Sequence, residues 1–228
     1  MRTDMTVAVL GATGMVGRRV VAEAGARGHR VLALSRKGET VGDGDTGVAV
    51  DAGDSAALAE VLVGSGADAV VLAVRSHPAD EEFLVGVTRT VLDAAARLGA
   101  RVLVVGGAGA LRSPGEGELL VAHDPVYVPD ALRAVAEAGV AQLRACEEHF
   151  GADWVYLSPP GLLEPGERTG RYRRGTDTLL TDAGGRSWIS AEDLAVAVLD
   201  ELEGGGGPRH FTVVAEVADE YLYPGRGE

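Results

Sequence analysis

The 228-residue chain has a single cysteine, a single lysine and few aromatic residues. One thiol, Cys146, cannot close an internal disulfide. No metal-type Cys/His spacing surrounds it, so the sequence points to no metal site, and Cys146 reads as a helix-packing residue. Basic residues are outnumbered: 21 Lys and Arg face 34 Asp and Glu, a formal charge of −13. That balance leaves no basic face for nucleic acid or for an anionic membrane surface. Apolar runs are strand-sized and no charged-then-apolar leader opens the chain, so the expectation is a cytoplasmic protein with no membrane partner.

What is present is an alternation of short β-branched runs with helical patterns, the signature of a doubly wound parallel α/β sheet, the Rossmann architecture. Strands are expected near 6–10, 30–34, 47–50, 69–74, 101–106, 153–157 and 209–214. Helices are expected over Gly14 to Ala26, Ser55 to Val63 with Asp54 as cap, Asp80 to Leu98 ended by Gly99, Asp130 to Phe150, and Ala191 to Leu202 with Ser190 as cap. A chain of this length buries roughly 70–75% of its unfolded surface in one core, so residues 1–228 are read as one domain. The stretch 158–188, rich in Gly, Pro and Arg, is expected to be a small substrate-side lobe toward the C-terminal end, because a further helix and strand follow it.

The most specific segment is Thr6-Val-Ala-Val-Leu-Gly11-Ala-Thr-Gly14-Met-Val-Gly17, an apolar strand running into a glycine-spaced turn that opens a helix. Gly11 allows a tight turn, Gly14 a close approach of backbone to a pyrophosphate, and Gly17 close packing of helix on strand. Thr13, Met15 and Val16 complete the turn, whose helix end offers free N–H groups and a positive dipole to phosphate. Ligands in such sheets lie beyond the carboxyl ends of the strands, in the loops after residues 10, 34, 50, 74, 106 and 157. That rule nominates Ala73, Val74, Arg75, Gly106, Gly107, Pro159 and Pro160 as further cofactor-binding residues.

Cofactor choice is read after the second strand, where Ser35-Arg36-Lys37 stands in place of the acidic residue that holds a ribose diol in NAD enzymes. A guanidinium at Arg36, with Ser35 and Lys37 beside it, suits a 2′-phosphate, which favours NADP(H). The alternative is a solvated basic loop.

The G-x-x-G-x-x-G turn resembles the atypical short-chain dehydrogenase/reductases. The segments Val105-Gly-Gly-Ala-Gly-Ala110, Leu157-Ser-Pro-Pro-Gly161, Glu164 to Tyr172 and Ile189-Ser-Ala-Glu-Asp-Leu194 are similar to the branch that contains NAD(P)H-binding flavin reductases and biliverdin-IXβ-reductase-like proteins. The resemblance covers nearly the whole chain. It implies that Val48-Ala-Val-Asp51-Ala52 holds the adenine, with Asp51 or the Ala52 backbone beside the ring. It also exposes a departure: the superfamily's Tyr-x-x-x-Lys proton donor would fall near Leu132 and Ala136, both inert, and Lys37 lies elsewhere.

Without that pair, the acceptor must tolerate slow or solvent-derived protonation, as flavins, quinones and planar conjugated molecules do. His123 and Tyr127 are the candidate catalytic side chains. His123 is titratable near neutrality in the loop expected on the nicotinamide side, though it also suits a loop histidine bonded to Asp124 or solvent. Tyr127 is the phenol nearest the missing position, or a packing residue under the loop. The sequence therefore reads as an NADPH-dependent reductase of a planar or conjugated small molecule, monomer or homodimer, with natural-product biosynthesis as a compositional association. Two alternatives stay open: an NmrA-like nucleotide sensor without turnover, and an epimerase or cyclase on the same scaffold.

Overall fold

A computed structural model describes residues 4–115, 117–182 and 184–216. In chain order the strands are β1 (Thr6–Leu10), β2 (Arg30–Ser35), β3 (Thr46–Ala49), β4 (Ala69–Leu72), β5 (Arg101–Val105), β6 (Asp153–Ser158), β7 (Leu162–Glu164), β8 (Tyr172–Gly175), β9 (Trp188–Ser190) and β10 (His210–Ala215). The helices are α1 (Gly17–Ala26), α2 (Ser55–Gly64), α3 (Glu81–Leu98), α4 (Arg133–Glu147) and α5 (Ala191–Gly204).

Eight strands form one sheet in the order β3-β2-β1-β4-β5-β6-β10-β8, all parallel except β8, which runs antiparallel to β10. Helices cover both faces, so β1 and β4 are buried along their whole length and need no polar side. Alternation within β1 feeds two cores: Val7 and Val9 pack with α1 and α5, while Ala8 and Leu10 pack with α2, α3 and α4. The strand order reverses at β1, between β2 and β4, which is where a doubly wound sheet opens a crevice.

Caps appear where the side-chain chemistry demands them. Asp54, Asp80 and Ser190 accept from the backbone N–H groups of Ala57, Phe83 and Asp193 at 3.0, 2.9 and 3.0 Å. Gly99 ends α3 in the left-handed region at φ 72°.

Boundaries differ where turns compete with the helix or strand pattern. The α1 helix starts at Gly17, not Gly14, because the Gly14 N–H closes a turn on the Gly11 carbonyl at 2.9 Å. The helix expected over 130–150 divides into a 3-10 turn, Asp130–Leu132, and α4, which ends at Glu147. Strand β4 stops at Leu72, releasing Ala73 and Val74 toward the crevice.

The 158–188 stretch contains short strands that its Gly- and Pro-rich composition hid. Strand β8 forms the sheet edge, and β7 pairs with β9 in a separate two-stranded ribbon. Carboxylates from α5 hold the intervening loop: Asp193 accepts from the N–H groups of Thr169 and Gly170, each at 2.8 Å, and Glu192 from that of Gly166 at 2.7 Å.

Candidate functional site

The crevice beside β1 is a cleft of about 1000 Å³, at the upper end of the roughly 300–1000 Å³ usual for small-molecule and cofactor sites. Gly11, Thr13, Gly14, Met15 and Val16 form one wall. Ser35, Arg36, Asp51 and Ala52 close one end, and Ala73, Val74 and Arg75 the opposite wall. Residues predicted from four separate loops thus line one space.

The glycine turn fits a pyrophosphate on geometric grounds. Gly11 has φ 91°, and a Cβ there would lie 2.5 Å from the Ala73 carbonyl oxygen, so this corner accepts no side chain. A Cβ on Gly17 would run into the Gly11 carbonyl, which makes Gly17 a packing position behind the turn and not part of the cleft wall. A Cβ on Gly14 would meet only the Gly11 oxygen, at 3.1 Å, and otherwise point into open space. Among the described residues, the N–H groups of Thr13, Met15 and Val16 have no hydrogen-bond acceptor, leaving three donors at the start of α1.

At the far end Arg36 lines the cleft with no carboxylate partner among the described residues. Lys37 points away: it is 80% exposed, sits 3.8 Å from Glu39 and does not line the cleft. The Ser35 hydroxyl accepts from the Gly38 N–H at 3.1 Å, shaping the turn that carries Arg36. Asp51 accepts from the Gly53 N–H at 2.9 Å.

Gly106 and Gly107 lie outside the main cleft, on a hollow of about 60 Å³ that shares Val74, Arg75, Ser76 and Ala79 with it. Val135, Ala138, Gly139 and Gln142 of α4 form the other side of this hollow. A Cβ on Gly106 would run into the phenol of Tyr156, which stands directly behind it. Burial raises the Tyr156 phenol far above its usual pKa, so it serves as a neutral hydrogen-bonding group. Pro159 and Pro160 are buried after β6 and line neither cavity.

The two candidate catalytic side chains are not brought to the cleft. His123 lies in a 3-10 turn (Val121–His123), with Nε2 3.0 Å from Glu137 Oε1. Glu137 points away from the hollow, because at about 3.6 residues per turn it sits opposite Val135, Gly139 and Gln142 on α4. Tyr127 is exposed in the following turn and lines neither cavity. Sequence order placed both near the nicotinamide side; the roll of α4 turns that segment outward.

Two further titratable groups are packed into structural surroundings away from the cleft. Cys146 is fully buried on α4, and burial pushes its thiol up to about 12. Burial lowers the pKa of His210, against the opposing charge of Asp177, and its Nε2 lies 2.9 Å from the Ser158 hydroxyl.

The sequence reading missed Phe83, on the first turn of α3, and Gln142. Phe83 lines the cleft near Asp51 and Ala52, and its aromatic character beside a cap residue was the available signal. Gln142 is a polar residue in the otherwise apolar stripe Val135, Ala138, Gly139 of α4.

The chain belongs to the NAD(P)H-binding family, whose model matches residues 11–204. It is 34% identical over 218 residues to the uncharacterized protein YwnB of Bacillus subtilis, covering 93% of this chain and 99% of that one. A 3-diazoavenalumate denitrifying reductase from a Streptomyces species is 30% identical over 193 residues, 79% of this chain and 63% of that protein. A crystal structure from Streptococcus pneumoniae, assigned as an NADH-flavin reductase, superposes with a TM-score of 0.79 at 27% identity, covering 93% of this chain and all of that one. Among the described residues no helix is long and apolar enough to cross a membrane.

Proposed function

We propose that the protein is an NADPH-dependent reductase that passes hydride to an electron-poor planar or conjugated small molecule such as a flavin, a quinone or a conjugated carbonyl compound, in the cytoplasm where NADPH is supplied. One observation carries the reading: among the described residues the N–H groups of the glycine turn have no acceptor and Arg36 no carboxylate partner, and both flank the same cleft at the crossover of the sheet. The turn would hold the pyrophosphate, and Arg36 the 2′-phosphate. Asp51, Ala52 and Phe83 would enclose the adenine. A nicotinamide cofactor held there would supply hydride, with Gly106 and Gly107 bordering the adjoining hollow.

The choice of acceptor follows from what the chain lacks. Lys37 is the only lysine and lies at the adenine end, so no Tyr-Lys pair protonates a ketone oxygen. An acid contributes about 10²–10⁴-fold, which simple ketones need and electron-poor acceptors do not. Two similar proteins, one assigned as an NADH-flavin reductase and one as a denitrifying reductase of a diazo compound, carry names whose acceptors fall in that second group.

The test is NADPH oxidation across flavins, quinones and simple ketones. Turnover with the first two and not the third is expected. Tight NADPH binding without turnover on any acceptor would replace the reductase with a nucleotide sensor.

A further inference from the structure

The hollow beside the cleft ends on a buried amide whose hydrogen bonds are fixed by its neighbours. Gln142 is 2% exposed, and its Nε2 lies 3.1 Å from Thr88 Oγ1 on α3. The Thr88 hydroxyl donates its only hydrogen to the Leu84 carbonyl at 2.7 Å, so toward Gln142 it can only accept. The amide nitrogen faces Thr88, and Oε1 lies 3.3 Å from the Tyr156 hydroxyl, whose one hydrogen also reaches the Gly139 carbonyl at 2.9 Å. A carboxamide carries two N–H donors, and the second meets no acceptor among the described residues while Gln142 lines the hollow. Leaving a buried donor unpaired costs about 1–3 kcal/mol, so this one is built to meet an atom that enters.

The surroundings define that atom. A hollow of about 60 Å³ has room for a small polar group such as a carbonyl. Gly139 and Val135 of α4 and Leu132 of the preceding 3-10 turn follow at three- to four-residue spacing, and the last two are 43% and 53% exposed. A flat molecule can thus lie on apolar side chains outside while its polar edge enters between Gly107 and Gln142.

We propose that Gln142 is a catalytic residue of this reductase, its free N–H receiving the acceptor oxygen or nitrogen on which negative charge collects when hydride arrives. The inference rests on the reductase reading and adds the group that stands in for the absent acid. A quinone gains two electrons and one proton as hydride, forming one new bond to hydrogen while the cofactor's C–H bond breaks. The resulting hydroquinone anion is held by Gln142 until water supplies the second proton. A preorganised donor of this kind contributes about 10²–10³-fold.

The test compares two acceptors in the intact protein. With 2-methyl-1,4-naphthoquinone, hydride creates an anion; with methylene blue, a cation, it creates a neutral molecule that needs no such donor. Gln142→Leu should lower kcat for the quinone about 10²–10³-fold, with methylene blue turnover and NADPH affinity within about threefold of wild type. A structural disturbance of α4 would depress both acceptors alike, and that result, or quinone turnover within threefold of wild type, overturns the proposal. If Gln142→Leu and the longer Gln142→Met both fail to fold, Val135→Trp, at an exposed position over the mouth of the hollow, decides: quinone turnover unchanged rejects the subsite. Failure of the wild-type protein to bind NADPH would instead remove the reductase reading, and it is read in the same titration.

Discussion

Arg168 grips Glu23 through two hydrogen bonds, Nε to Oε2 at 2.7 Å and a terminal nitrogen to Oε1 at 2.8 Å, tying the loop between β7 and β8 to helix α1. Arg27 reaches the same carboxylate at 2.8 Å. The α1 helix begins at the glycine turn, so this contact joins the region expected on the substrate side to the element that would hold the pyrophosphate. The Arg168 bonds, with Arg27, hold the Glu23 carboxyl below its ordinary value of 4.5 despite its burial.

Because the folded pKa of Glu23 is depressed, its contribution to stability is complete above 4.5 and is lost as pH falls through the folded value. Glu23→Gln should therefore destabilise the protein at neutral pH and flatten the decline of Tm in acid. Arg168→Ala should cost less, about 1 kcal/mol, because Arg168 is largely exposed and Arg27 still pairs the carboxylate. Thermal melts of both variants from neutral to acid pH check the sign and the order.

Arg36→Ala should weaken NADPH binding about 10- to 100-fold, the equivalent of one charge-assisted contact of ~1.5–3 kcal/mol, while NADH affinity barely changes. Lys37→Ala should do little, since Lys37 faces solvent beside Glu39. Parallel losses for both cofactors in the Arg36 variant would remove the 2′-phosphate role.

His123→Ala should leave turnover within a few-fold of wild type. The imidazole has the right chemistry for a proton donor, but it is committed to Glu137 on the side of α4 away from the hollow. A fall of about 10²–10⁴-fold with NADPH affinity unchanged would restore it as the acid.

Gly17→Ala should cost about 1–3 kcal/mol of stability, since the added methyl group runs into the Gly11 carbonyl. Denaturant unfolding measures the loss, and a Cm equal to wild type would show that the turn can relax.

The sheet was legible because its strands are apolar runs separated by capped helices, each signal local to ten or so residues. The cleft was legible for the same reason: Gly11, Gly14, Arg36, Asp51 and Arg75 each follow a strand, and parallel strands bring their carboxyl ends together. Strands β7, β8 and β9 were hidden because three- and four-residue strands take their stability from partners, not from their own pattern. His123 lies apart from the hollow, because position along the chain does not fix which side of α4 a preceding loop packs on. Gln142 was overlooked since its meaning lies in Thr88 and Tyr156, 54 and 14 residues away in sequence.

Whether the turn after β1 holds the cofactor pyrophosphate is decided by calorimetric titration of NADPH into wild type and Gly14→Val. The side chain added at Gly14 points into the cleft and meets only the Gly11 oxygen, so the variant should keep the fold, with circular dichroism like wild type. Wild type should bind NADPH saturably and the folded variant at least about tenfold more weakly, a loss of ~1.4 kcal/mol or more. Equal affinity in the two proteins would contradict a pyrophosphate site at this turn.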